Sequence, residues 1–186
     1  MFPETSLPIQ TGRLTLRRFQ PDDFAAYAAY HTRSDVYRFL YASPPSAEVL
    51  EAQFSGVLAA AFEKDGDTLR LAVFRDEDAA LVGEVLLKIA SAGALQAEVG
   101  YIFNPAFSGK GYATEAVRAM ISFGFRALGY HRIFARLDAF NRGSIGVVER
   151  LGMRKEAHLI ENDRFDGVWG DEFIYAVLNR EWASGS

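Results

Sequence analysis

The stretch Ser108-Gly109-Lys110-Gly111-Tyr112-Ala113 has the residue types of a phosphate site. It follows a strand-like run and the breaker Asn104-Pro105, and helical periodicity starts directly after it. The first amides of a helix have no intrahelical partner, the helix dipole adds about half a positive charge there, and glycine lets an anion approach the backbone. Gly109, Lys110, Gly111, Tyr112 and Ala113 are therefore expected to bind phosphate through main-chain NH groups, with the Lys110 ammonium as an optional addition. A lone Gly-x-Gly more often only turns the chain. Two rival motifs fail on spacing. A dinucleotide fingerprint would need glycine or alanine where Thr114 stands, and a nucleoside-triphosphate loop would need Ser or Thr after Lys110, where Gly111 stands.

The elements that must position this turn can be read from periodicity. Leu14 and Leu16 alternate with Thr15 and Arg17 as in a strand, and Pro21-Asp22-Asp23 supplies a helix start. After Ser43-Pro44-Pro45, the apolar residues Leu50, Phe54, Val57, Leu58, Ala61 and Phe62 recur at helical spacing. Thr68 to Arg75, Ala80 to Ile89 and Leu95 to Phe103 read as an antiparallel meander. Gly111 to Leu128 is helical and stops at Gly129. His131 to Asp138 is a strand, Asn141 to Leu151 is a short helix, and Arg154 to Phe165 and Glu172 to Leu178 are the last two strands. A strand, a crossover helix and a returning strand require one parallel pairing. The expected fold class is α+β, a mixed, mostly antiparallel sheet of about seven strands with helices on both faces.

With 186 residues, 49% of them hydrophobic and 24% charged, the chain is expected to form one domain over residues 1–186, with residues 1–10 and 183–186 as flexible ends. A formal charge of -4 offers no basic footprint for nucleic acid. The absence of cysteine excludes disulfides, thiolate metal sites and a cysteine nucleophile. No apolar run reaches the roughly 18 residues needed to span a bilayer, so no membrane partner is expected and the cytoplasm is the default location. His31, His131 and His158 lack metal-ligand spacing and are expected to be structural; no metal is expected.

Several ordered stretches together resemble the GNAT N-acetyltransferases: Ala97 to Tyr101, the 108 to 113 turn, Thr114 to Ala116, and Asn141 to Ser144 through Leu151, Gly152 and Met153. Gly12 to Arg17 with Pro21 to Asp23, and Phe165 to Trp169, are similar to the RimJ/RimL-like branch. The resemblance covers nearly the whole chain. It implies acetyl-CoA as cosubstrate and an amine acceptor: a peptide or protein N-terminus first, or a small amine. A homodimer is a fair prior for such an enzyme.

The resemblance also assigns residues. Ser108 stands where the family has Gln or Arg, so the backbone from Gly109 to Ala113 carries most of the phosphate binding. The family splays two neighbouring strands so that the pantetheine arm pairs with a strand edge. Here those strands are Leu95 to Phe103 and His131 to Asp138, with Ile102 and Phe103 as backbone partners of the arm. Asn141 matches the position that bonds the arm, or else caps the following helix. Glu98 is the first expectation for a general base and Glu84 the second; burial beside apolar walls would raise either carboxyl towards working pH. The family's usual tyrosine acid falls at Val148, so Ser144 is expected to donate to the leaving thiolate, or else to cap its helix. Tyr37, Phe39, Tyr41, Phe165 and Trp169 fall where the family borders its acceptor pocket. A catalytically silent acyl-CoA-binding or sensing protein is the alternative from another class, and an NAD-dependent redox enzyme a third.

Overall fold

The structure is a computed structural model that describes residues 6–184. Its strands are β1 (Ile9–Gln10), β2 (Leu14–Arg18), β3 (Thr68–Arg75), β4 (Ala80–Ser91), β5 (Gln96–Phe103), β6 (Arg132–Asp138), β7 (Arg154–Phe165) and β8 (Val168–Leu178). They form one sheet in the order β1-β2-β3-β4-β5-β6-β8-β7. Only β5 and β6 run parallel among these neighbours, joined through α4 (Tyr112–Arg126). The remaining helices are α1 (Phe24–His31), α2 (Ser34–Tyr37), α3 (Ala47–Ala59), α5 (Arg142–Arg150) and α6 (Asn179–Ser184).

The α+β class is the one expected, with eight strands where about seven were expected. The additional strand is β1, whose two residues pair with Thr15 and Leu16; two residues are too few to display alternation. Ile9 and Gln10 fall within the N-terminal end expected to be flexible, of which residues 1–5 lie outside the described residues, as do 185–186 at the other end. The last strand starts at Val168, four residues earlier than its apolar pattern suggests, because Asp166 and Gly167 close a tight left-handed turn that pairs Phe165 with Val168. Helix α2 is a single turn, below the length at which periodicity is visible. In α6 the Trp182 indole is buried and donates to Ser122 Oγ at 3.0 Å.

Alternation gives the sheet two apolar faces. Val85 and Leu87 of β4, Ala97 and Val99 of β5 and Ile133 and Ala135 of β6 pack against Val117, Met120 and Ile121 of α4 and Ile145 and Val148 of α5. The opposite face meets Tyr27 and Tyr30 of α1 and Leu50 and Phe54 of α3, with Ile102 of β5 packed against that smaller cluster. Position 83 has to be glycine for this to close: a Cβ there would lie 2.6 Å from the Ile102 carbonyl oxygen, so β4 and β5 approach too tightly for a side chain.

The parallel ladder is short. It joins Gln96 to Arg132, Ala97 to Ile133 and Glu98 to Phe134, and then ends. Strand β5 stays paired with β4 up to Gly83 and Phe103, and β6 stays paired with β8 up to Asp138 and Glu172. The two strands therefore diverge beyond Glu98, and the β6-facing edge of β5 from Val99 to Phe103 has no strand partner among the described residues.

Candidate active site

A cleft of about 670 Å³ opens at this divergence, bounded by the end of β5, the start of α4, α5 and the α2 segment. That volume is in the range of small-molecule sites. Gly109 (φ 75°) and Gly111 (φ 80°) both adopt the left-handed conformation that side chains disfavour, which turns the chain sharply into α4. Gly111 is the N-cap and its carbonyl accepts from the Glu115 amide, so the amides of Tyr112, Ala113 and Thr114 precede the first intrahelical donor. Gly109, Gly111, Tyr112, Ala113 and Thr114 all line the cleft.

A carboxylate in the first turn of α4 would repel a phosphate, and Glu115 is one. Arg13 from the loop before β2 covers it: Arg13 Nε donates to Glu115 Oε2 at 2.8 Å, and Thr11 Oγ1 donates to Oε1 at 2.7 Å. Burial tends to raise the Glu115 carboxyl, but these bonds from Thr11 and Arg13 outweigh it and hold it below its ordinary range. Arg13 Nη1 also donates to the Lys110 carbonyl at 3.0 Å, so the same guanidinium braces the turn. Lys110 contributes that carbonyl, and its side chain is not part of the cleft wall. Arg150 of α5 does line the cleft, with Nε donating to Thr114 Oγ1 at 3.3 Å, and places a cation beside the free amides.

Farther in, Ile102 and Phe103 line the cleft from the unpaired edge of β5. Asn141 caps α5, its Oδ1 accepting from the Ser144 amide at 3.0 Å, which leaves its Nδ2 donors as the part able to meet a ligand. Helix α5 starts at Arg142, so Ser144 is its third residue and not its cap. The Ser144 carbonyl accepts from Tyr101 Oη at 2.8 Å, and the Ser144 side chain is a hydrogen-bonding neighbour of the same phenol. Ser144 also lines the cleft. Burial raises the Tyr101 phenol above its ordinary value, so Tyr101 stays protonated and braces α5 against β5. Val148, at the position of the family's tyrosine, is core.

The two candidate bases sit differently. Glu98 is at the last rung of the parallel ladder, on the face of Gly100 and Ile102, where it accepts from Arg136 Nε at 3.2 Å; it is not in the cleft wall. Glu84 is fully buried. Its Oε2 accepts from Tyr30 Oη at 3.0 Å and lies 3.4 Å from His31 Nε2, while Oε1 is bonded by the Arg70 guanidinium. Burial pushes the Glu84 carboxyl up, but Arg70, His31 and Tyr30 together bring it below its ordinary value. The rise that apolar walls would have caused does not occur, because the donors of Arg70, His31 and Tyr30 surround the carboxylate.

The expected acceptor-side aromatics also separate. Phe39 lines the cleft, and Tyr37 lines a second cavity of about 440 Å³ behind Ile102. Tyr41 donates to Asp138 Oδ2 at 2.7 Å, Trp169 is 54% exposed with Arg164 over its ring, and Phe165 is exposed on the same hairpin. Arg13, Tyr101, Thr114 and Arg150 escaped the sequence reading. Arg13 and Tyr101 lie inside stretches that carried the resemblance, but their partners are 43 or more positions away, so no local pattern marks them.

A family model described as an acetyltransferase (GNAT) domain matches residues 13–154. The chain is 33% identical over 178 residues to the uncharacterized N-acetyltransferase YnaD of Bacillus subtilis (strain 168), covering 94% of this chain and 98% of that protein. It is 28% identical over 125 residues to the ribosomal protein uS5-alanine N-acetyltransferase of Escherichia coli (strain K12), covering 67% of this chain and 64% of that one. The crystal structure of a GNAT-family acetyltransferase from Bacillus anthracis superposes with a TM-score of 0.84 at 29% identity, over 93% of this chain and 99% of that chain.

Proposed function

The chain belongs to the GNAT family and is an N-acetyltransferase, and from that premise we propose that it moves acetyl from acetyl-CoA directly to a primary amine, first among them a peptide or protein N-terminal amine. The observation that carries this reading is the continuity of one cleft from an unpaired strand edge to a bare helix N-terminus. The pyrophosphate of the cosubstrate is assigned to the amides between Gly109 and Thr114, with Arg150 beside them. The arm is assigned to the edge of β5 at Ile102 and Phe103, where main-chain groups stand in for a neighbouring strand. Asn141 Nδ2 is its side-chain contact.

Direct transfer needs a neutral nitrogen aimed at the thioester carbon and a proton for the departing sulfur. The Ser144 hydroxyl is the group assigned to the sulfur, because Ser144 lines the cleft one turn from Asn141 and the family's tyrosine position is occupied by the buried Val148. General acid contributions run from about 10² to 10⁴-fold, and a serine donor belongs at the lower end. Ser144→Ala is expected to lower kcat by about 10²-fold with KM for acetyl-CoA unchanged; a kcat equal to wild type in steady-state thiol release would remove Ser144 from the reaction. The ranking of acceptors draws on the likeness to the enzyme acting on ribosomal protein uS5.

Thermal unfolding with each ligand tests the reading as a whole. Acetyl-CoA at a hundred times its Kd should stabilise the fold by about 2.7 kcal/mol, and NAD at the same concentration should not. A larger shift with NAD would overturn the assignment. Thiol release against a panel of peptides and polyamines then separates the enzyme from a silent binder.

A further inference from the structure

We propose that the cavity behind Ile102 is where the acceptor amine loses its proton, and that Tyr37, His31 and Glu84 form the relay that receives it. The inference rests on the acetyltransferase reading above. Ile102 lines both this cavity and the cosubstrate cleft, so an amine placed here lies across one side chain from the thioester's channel. Tyr27, His31, Tyr37, Gln53, Thr68 and Arg70 supply the polar side chains of the cavity wall.

The protonation pattern follows from counting donors. Glu84 is ionised and can only accept. Tyr30 Oη and the Arg70 guanidinium donate to it, and His31 Nε2, 3.4 Å from Oε2, must therefore carry its hydrogen. In neutral imidazole the other nitrogen is then an acceptor. His31 Nδ1 lies 3.1 Å from Tyr37 Oη, so the phenol donates its hydrogen inward to His31 and turns its lone pairs to the cavity. Tyr27 stacks on the imidazole at 3.9 Å and blocks its face. The charged and titratable groups around His31 are thus Glu84 from β4, Arg70 from β3, Tyr27 and Tyr30 from α1, and Tyr37 from α2. This is the logic of an activated serine triad, with a carboxylate fixing the tautomer of an imidazole that serves a hydroxyl.

The acceptor enters as an ammonium. Its proton passes to Tyr37 Oη while the Tyr37 hydrogen passes to His31 Nδ1, and the imidazolium is balanced by Glu84. The neutral amine attacks the thioester carbon, a C–N bond forms, and the C–S bond breaks with its electron pair on sulfur. The second nitrogen proton goes to that thiolate through the Ser144 hydroxyl, giving amide and free thiol. His31 returns its proton to solvent through Tyr37 as product leaves.

The test is kcat/KM for the best acceptor of the panel, measured from neutral to alkaline pH in wild type, Tyr37→Phe, His31→Gln and the double variant. Each single variant should lose about 10²-fold at neutral pH and regain it as pH approaches the pKa of the acceptor amine, when solution supplies the neutral nitrogen. The double variant should lose no more than either single one, since members of one relay act as a unit. Tyr37→Phe removes one hydroxyl and keeps the ring, so it stands alone if His31→Gln fails to fold. Folded variants that bind acetyl-CoA and keep the wild-type rate and pH profile would overturn the relay, as would losses that add in the double variant and persist at alkaline pH. A wild-type protein that binds no acetyl-CoA would instead overturn the function on which the relay rests.

Discussion

Glu84→Gln is expected to lower the unfolding free energy by about 3 kcal/mol and Tm by about 6 to 12 °C. Removing one partner of a buried ion pair strands the other, which costs more than the pair contributed. Here the stranded group is Arg70, and the amide that replaces the carboxylate would turn NH₂ donors towards the donors of Tyr30, His31 or Arg70. Water reaches the Arg70 side chain, which is 24% exposed, so the figure belongs at the lower end of the buried range.

The pH dependence has a definite sign. The folded carboxyl of Glu84 lies below its ordinary value of 4.5. Its contribution is therefore complete above that ordinary value and is lost as pH falls through the lower folded one. The gap between wild type and Glu84→Gln should be widest at neutral pH and should shrink in acid. Equal melting curves at neutral pH, or a gap that widens on acidification, would contradict the assignment of an ionised Glu84. Adding Arg70→Met to Glu84→Gln should recover part of the loss, because the stranded cation is then gone.

Gly111→Val is expected to weaken acetyl-CoA binding by 10- to 100-fold, about 1.4 to 2.8 kcal/mol, while the fold is retained. A Cβ at this position meets only the end of Arg13 at 3.6 Å, so the space is not the difficulty. The backbone is: at φ 80° a β-branched residue is strained, and relief comes by rotating the amides that α4 presents to the phosphates. Side-chain bulk at the N-cap also keeps an anion from the backbone. Calorimetric titration with CoA reads the effect, and an unchanged Kd in a folded variant would show that the pyrophosphate lies elsewhere.

The half of the site that we assign to the cosubstrate was legible in the sequence because it is local. Gly109 and Gly111 are two residues apart and must turn the chain wherever they are placed, and the amphipathic run after them can only be a helix that starts there. Asn141 and Ser144 are three residues apart on one short helix, so their neighbourhood was fixed by helix geometry alone. The splay of β5 and β6 came from resemblance, since nothing in the residues of either strand says that their ladder ends at Glu98. The same limit explains the two glutamates: Glu98 and Glu84 alternate correctly onto one sheet face, yet alternation does not say that one meets Arg136 and the other Arg70.

By itself, then, the order of residues determined seven of the eight strands, the glycine turn and the family to which the chain belongs. Strand alternation, helix periodicity and glycine dihedrals are properties of neighbours, and neighbours are what a sequence displays. Only the tertiary structure decided the buried polar cluster that we assign to the acceptor side. Glu84 reaches Tyr30 and His31 across 54 and 53 positions and Arg70 across 14, through three elements that meet at one point of the sheet. His31, expected only to be structural, becomes the centre of a buried polar cluster because α1 packs over β4. An ionised carboxylate survives there because the surrounding donors outweigh the cost of burial, a balance that exists only once the chain has folded.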